Sequence, residues 1–231
     1  MVKFCDENTQ LYWIKYALSV VMPKVKKITN QKDFGYHGLT HTEHVILFGI
    51  DYALNQKTNP IPVILACALH DCARTHDAWD DLHGKNCEPI ARKFLTDYHF
   101  DLTETEKEEI VDAIKWHTHG REAKNNISAC LWDADRTRLS WERGYNSVFF
   151  STLRGKEIAS LSPEKVLLYY QHQIDLLKKA QCYSYLLEQE QNNSTVKESP
   201  LFHHLRYCDH LVYIRFLHHH LSKLKAHHMD F

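Results

Sequence analysis

Glycine is scarce in this sequence, at 7 of 231 residues, where soluble proteins ordinarily spend roughly 7% of the chain on it. Residues that turn tightly are therefore few, and alternation of polar and apolar residues hardly occurs. Hairpin-rich β architectures are disfavoured, and long helices joined by few sharp turns are expected. The seven cysteines, at 5, 67, 72, 87, 130, 182 and 208, are odd in number, scattered and without a CxxC pair. They offer neither a disulfide framework nor a thiolate zinc site and fit a reduced, intracellular, cytoplasmic chain. Long apolar runs are missing too. The N-terminal LYWIKYALSVVM is interrupted by Lys15, has no small-residue cleavage site and ends in PKVKK, so neither signal peptide nor membrane span is expected. Charge of one sign does not accumulate: 28 Lys and Arg oppose 29 Asp and Glu. With no long basic, aromatic-studded stretch, polymeric nucleic acid is not an expected partner.

What the chain has in plenty is histidine, 18 residues. Imidazole is the commonest protein metal ligand and titrates near neutral pH, so metal chemistry is the first function to test. With 44% hydrophobic residues, the chain suits one globular domain with a sizeable core. Helical periodicity predicts a first helix over 9–28, bent at Pro23, and a second from Gly38 or Thr40 to Leu54. Asn59-Pro60 opens the next, the Asn as cap and the Pro preset for the first turn. It leads into VILACAL, 63–69, seven apolar residues that imply burial on all sides. Residues 70–83 read as a polar loop or broken helix. A helix over 86–98 follows, with Pro89 in its first turn. Thr103 and Glu106 form a capping box for a helix that runs to His119 and stops at Gly120. Further helices are predicted at 126–139, 163–190 and 201–226, with a linker-like stretch at 189–200.

Three elements carry chemistry. YHGLTHTEH, residues 36–44, spaces His37, His41 and His44 on one face if the helix already includes residue 37. His70-Asp71 ends the buried VILACAL helix, where an unpaired imidazole and carboxylate would cost several kcal/mol and a divalent cation would remove the difficulty. WDADR, 132–136, holds two acids and an arginine. His76-Asp77 repeats the dipeptide in a polar loop and reads as solvated or as support.

His41, His70-Asp71 and the WDADR acid, in this order on an all-helical chain, resemble the HxnHDxnD signature of the HD-domain metal-dependent phosphohydrolase superfamily. The elements His37-Gly38 with His41, His70-Asp71, His83-Gly84, Ile114 with His117-Thr118, and Trp132–Arg136 are similar to those of small bacterial HD proteins. The resemblance covers about 36–144. It implies an all-α, HD-domain-like helical bundle, placed in a metal-binding domain over residues 1–160; the remaining tail is longer than such a module requires, and residues 161–231 read as a C-terminal helical extension packed on the same domain. It also implies that His41, His70, Asp71 and Asp135 ligate one divalent transition metal, Mn, Fe, Co, Ni or Zn, with Asp71 needed for catalysis. The family pattern places the ligand directly before the Arg, and positions i and i+2 diverge by roughly 200° on a helix, so Asp133 becomes a supporting acid. His83 and His117 resemble histidines that hold a second ion, although an inward His117 can equally bond to backbone. His37 resembles the proton donor of cyclic-nucleotide phosphodiesterases; a solvated histidine at a helix start is the rival reading.

The implied reaction is hydrolysis of a phosphate ester or anhydride of a small metabolite or nucleotide, cyclic nucleotides included, by metal-activated water. Charge developing on phosphoryl oxygens calls for cations. Arg74 and Lys85 are the candidates, with Arg121 nearby and Arg136 either in the site or paired in the fold. The pattern departs after WDADR, where RTRLSWERGY puts Arg138 in place of an expected acid. Leu201, Leu205, Cys208, Val212 and Phe216 form a stripe suited to the core or to a second copy of the chain as a homo-oligomer. The histidines of 203–228 fit a solvated face better than a metal store. Two other functions fit the same residues: a di-iron oxygenase of the HD type, and a noncatalytic, metal-stabilised binding protein.

Overall fold

Local signals set most helix ends in the structure, a computed structural model that describes residues 5–30, 37–119, 122–143 and 146–192, without the side chains of 139–143 and 183–192. Helix α1 (Glu7–Tyr16) starts at Asp6, whose carboxylate accepts the Thr9 N–H at 2.8 Å. The single helix predicted over 9–28 is instead three pieces: α1, a π-helical segment Ala17–Val21, and α2 (Met22–Val25). Pro23 brings no N–H, so the ladder widens ahead of it. The Lys24 ammonium donates to the Val20 carbonyl at 2.8 Å in the widened turn.

Helix α3 (Leu39–Asn55) has extended Gly38 as its N-cap, so His37 lies outside the helix rather than on its histidine face. Helix α4 (Pro60–Leu69) opens with Asn59 Oδ1 accepting the Ile61 N–H at 3.1 Å. All of VILACAL is buried, which contributes about 1.5–3 kcal/mol for each of its Val, Ile and Leu side chains. Helix α5 (His83–Asp97) begins three residues before the expected position, and Pro89 sits past its first turn. There it is exposed, so the ring meets solvent and the loss is confined to one ladder bond. Helix α6 (Glu104–Trp116) carries both bonds of the Thr103–Glu106 capping box and ends in a 3-10 turn, His117–His119; Gly120 lies outside the described residues. Helix α7 (Asn126–Arg143) is longer than expected. Two unpredicted elements follow, a 3-10 turn Ser147–Phe149 and α8 (Leu153–Ala159), then α9 (Pro163–Asn192). The rest of the linker-like stretch, the helix expected at 201–226, its apolar stripe and its histidines lie outside the described residues.

The architecture is all-α, and no strand occurs among the described residues. Helix α3 is central, packing on α4 and α7, while α6 pairs with α5 and closes on α4 and α7; α1 lies along α9. A buried polar tie joins α3, α8 and α9: Asp51 accepts the Arg154 Nε–H and the Tyr169 hydroxyl, both at 2.8 Å. Gln10 Nε2 donates to Gln173 Oε1 at 3.0 Å between α1 and α9. No described helix is long and apolar enough to cross a membrane.

Candidate metal centre

The end of α4 sets the site. His70 caps that helix, fully buried, and its Nδ1–H donates to the Cys67 carbonyl at 2.7 Å. A carbonyl only accepts, so the proton sits on Nδ1 and the Nε2 lone pair faces inward. His41, in the first turn of α3, brings its Nε2 to 3.1 Å from that of His70. Asp71 Oδ2 lies 3.5 Å from His70 Nε2 and 3.8 Å from His41 Nε2. From α7, Asp135 Oδ1 stands 3.3 Å from His41 Nε2 and 3.9 Å from His70 Nε2.

A second group meets the other oxygen of the same carboxylate. His83 Nε2 is 3.2 Å and His117 Nε2 is 3.6 Å from Asp71 Oδ1, and the two nitrogens are 2.9 Å apart. His117 donates from Nδ1 to the Ile114 carbonyl at 2.7 Å. His83 Nδ1 contacts the Asp80 carbonyl at 2.5 Å and Arg74 Nη1 at 3.1 Å. Only the former can accept from an Nδ1–H, so we assign that bond and leave Nε2 as the lone-pair nitrogen. Gly84 permits the approach: a Cβ there would stand 2.9 Å from both the Ile114 and Lys115 carbonyl oxygens. The triads His41, His70, Asp71 and Asp71, His83, His117 are all buried and share Asp71.

The donor set fits divalent cations. Atoms bound about 2.1 Å from one ion stand roughly 3.0–3.4 Å apart in octahedral or tetrahedral geometry; the His41–His70 pair, at 3.1 Å, lies within that spacing and the His83–His117 pair, at 2.9 Å, just below it. Buried Asp71 Oδ1 and Asp135 Oδ1 accept no hydrogen bond, so two carboxylates and the inward lone pairs of His70, His83 and His117 lack a compensating positive charge unless a metal or protons supply it. Burial raises the Asp71 carboxyl, but His70, His117 and His83 outweigh it and hold it well below the usual range. At Asp135 burial again raises the carboxyl, and His41 and His70 outweigh it and hold the pKa below the usual range. Burial pushes the His70 imidazole down to about 4. At His117 burial lowers the pKa, yet the Asp71 carboxylate prevails and the net shift is upward. Neither triad contains a cysteine, which suits borderline metals that accept imidazole and carboxylate together.

The remaining candidates fall around this cluster. His37 stands with its ring centroid 5.4 Å from that of His41; burial and His41 lower its pKa. Its backbone N–H and Nδ1 both reach Asp77 Oδ1, at 3.0 and 3.1 Å. Arg74, 7% exposed, turns two of its nitrogens onto its own loop, Nε to the His76 carbonyl and Nη2 to the Ala78 carbonyl, both at 3.1 Å, and sets Nη1 against His83 at the start of α5. Lys85 is exposed, its ammonium 5.4 Å from the Trp116 ring centroid. Asp133 turns away from the cluster and accepts the Ser151 and Thr152 N–H groups at 2.9 and 2.7 Å, pinning the start of α8. Arg136 donates to the Phe149 carbonyl at 2.7 Å, in the same corner. His44 is buried behind His41, and its pKa falls well below normal through burial and the charge of buried Arg138. Arg121 lies outside the described residues. Sequence reasoning missed the Asp77 partnership and the packing role of Gly84. The repeated HD dipeptide and the His-Gly pair were the available signals.

The HD domain family model matches residues 38–165, more than half of the chain. A crystal structure of a predicted HD superfamily hydrolase from an uncultured Thermotogales bacterium is 21% identical, covers 67% of this chain and 89% of its own, and has a TM-score of 0.49. No curated protein matches the chain.

Proposed function

The chain belongs to the HD domain family, and on that premise we propose that it is a metal-dependent phosphohydrolase acting on an ester or anhydride of a small phosphorylated metabolite or nucleotide. The observation that supports this most is the sharing of Asp71, whose two oxygens each face a separate histidine pair within 3.2 to 3.8 Å. His41, His70, Asp71 and Asp135 would hold one divalent ion, and Asp71, His83 and His117 a second. When bound, such ions supply Lewis acidity and lower the pKa of water enough for nucleophilic attack near neutral pH.

The chain's own groups do the rest. His37, beside the ligand His41, delivers a proton to the departing oxygen. Exposed Lys85 draws the anionic substrate to the rim. Arg74 keeps the 75–82 loop in place through the His76 and Ala78 carbonyls, so its contribution comes through the loop that leads into His83. Buried His44 stays neutral behind His41 and adds bulk rather than charge.

Elemental analysis of the purified protein identifies the metal, and a phosphate-release screen with nucleotides, cyclic nucleotides and sugar phosphates under that metal tests the reaction. Asp71→Ala is expected to lose both metal and turnover, and His37→Ala to keep metal while losing about 10²–10⁴-fold in rate. Full activity in either variant removes that role. Oxygen uptake with an optical band after aerobic iron loading, in place of phosphate release, would move the protein to the di-iron oxygenases. Strong stabilisation by metal without any turnover would make it a binding protein.

A further inference from the structure

The loop between α4 and α5 reaches back across 40 residues of sequence to grip His37 at two points. Asp77 Oδ1 accepts the His37 backbone N–H at 3.0 Å and stands 3.1 Å from its Nδ1. A carboxylate has no proton to give, so the second contact is a hydrogen bond only when Nδ1 carries the proton. The backbone bond anchors the main chain one residue before the Gly38 cap of α3. Together the two bonds fix where His37 stands and which tautomer it adopts.

From this grip, and resting on the hydrolase reading of the site, we propose that Asp77 is the positioning residue of His37: it holds the Nδ1–H tautomer and presents Nε2 to the leaving group. In the step so served, a water oxygen bonds to phosphorus, and the bond from phosphorus to the leaving oxygen breaks with its electron pair on that oxygen. His37, carrying a proton on each nitrogen, gives the Nε2 proton there and is left as the Nδ1–H tautomer that Asp77 holds, and the proton shed by water then restores Nε2–H. The products are an alcohol and phosphate, and no redox partner is needed. Asp77 touches no reacting atom; it acts through the imidazole, as the orienting acid of a hydrolytic triad does.

Two measurements test this. The first is a long-range proton–nitrogen NMR spectrum of the zinc-loaded protein at pH 8, with His37 assigned by its loss in His37→Ala. The wild-type ring is expected as the Nδ1–H tautomer, Asp77→Ala as the Nε2–H tautomer that free imidazole favours, and Asp77→Asn, which keeps an acceptor oxygen, close to wild type. The second compares adenosine 5′-monophosphate, whose alkoxide needs a proton to leave, with p-nitrophenyl phosphate, whose phenolate does not. Asp77→Ala should lower kcat for the first about tenfold or more at unchanged KM, spare the second, and be rescued by Asp77→Asn. An unchanged tautomer in Asp77→Ala overturns the proposal, and so does an equal fall with both substrates. If the wild-type protein cleaves neither substrate with any metal, the hydrolase reading fails, and the tautomer alone decides whether Asp77 sets His37.

Discussion

Gly84→Ala separates the two halves of the centre with a single methyl group. A Cβ at this position would lie 2.9 Å from the Ile114 and Lys115 carbonyl oxygens and 3.1 Å from His117 Nδ1. Carbonyls of a helix end cannot swing aside, so α5 must retreat from α6 by about 0.5 Å to reach ordinary van der Waals contact. His83 is the neighbouring residue on α5, and His117 follows α6 directly, so the retreat opens the 2.9 Å gap between their Nε2 atoms. Metal–ligand distances tolerate roughly 0.2 Å. Disturbed support of a ligand typically costs ten- to hundredfold in affinity, and that is the expected loss at the His83–His117 position. The His41, His70, Asp71 and Asp135 group shares only Asp71 with the displaced pair and should hold its ion. Overpacking costs about 1–3 kcal/mol, partly offset by the roughly 1 kcal/mol better helix propensity of Ala, so the protein stays folded. Calorimetric titration of the chelator-stripped protein with zinc, checked by metal-to-protein ratio, should change from two classes of site to one. Two unaltered affinities would show that the approach of α5 to α6 does not control the second pair.

Other perturbations follow from features away from the ligands. Arg154→Ala leaves the Asp51 carboxylate buried without its guanidinium partner, which should cost about 3–5 kcal/mol and lower Tm by roughly 10 °C; replacing Asp51 and Arg154 together by leucine should restore most of the loss in a urea melt, and a neutral Arg154→Ala would deny the tie its role. Thr103→Ala removes the capping-box hydroxyl and should cost about 1 kcal/mol by denaturant midpoint, with no change in metal content. Acid should weaken the chelator-stripped protein: the unfolded chain takes up a proton on His70 near its ordinary pKa, while the folded chain resists until about 4. The stability from His70 is therefore complete above roughly pH 6.5 and lost on the way down to 4, about 3 kcal/mol from this group alone. His44, also lowered, adds in the same direction, and His117, raised, opposes. Urea melts from pH 8 to 4 that show no decline would contradict the burial of His70 as a neutral ring.

The parts of the fold legible in the sequence were those specified within a few residues. VILACAL reads as a fully buried helix because nothing in it wants water, and Thr103 with Glu106 states a helix start outright. The histidine and carboxylate elements were legible as a set because each sits at a helix end or on a helix face whose period can be counted. What escaped depends on distant chain. Helix α5 starts on His83 without a side-chain cap, so no local residue announces it, and Pro89 pointed to a later start. Helix α8 is seven residues long and is anchored by the Asp133 carboxylate, a partner 18 or 19 residues earlier. The three histidines of the opening motif would share one face only if the helix included residue 37; it begins after Gly38, as the expected start at Gly38 or Thr40 allows, and Asp77, from another loop, holds His37 alongside. Arg74 looked like a cation for substrate because sequence shows a charge but not the carbonyls of His76 and Ala78 that claim it.

The tie among Asp51, Arg154 and Tyr169 bears on how this protein can be trimmed. Tyr169 lies beyond residue 165, where the family resemblance ends, and Gln10 lies before residue 38, where it begins. A chain shortened to those limits would lose the hydroxyl that helps shield Asp51 and would bare the flank of Phe48, which now stacks against Tyr169. The segment that matches the family thus borrows its outer wall from sequence that carries no family signature, and excising it alone should yield an aggregation-prone fragment rather than a stable minimal domain.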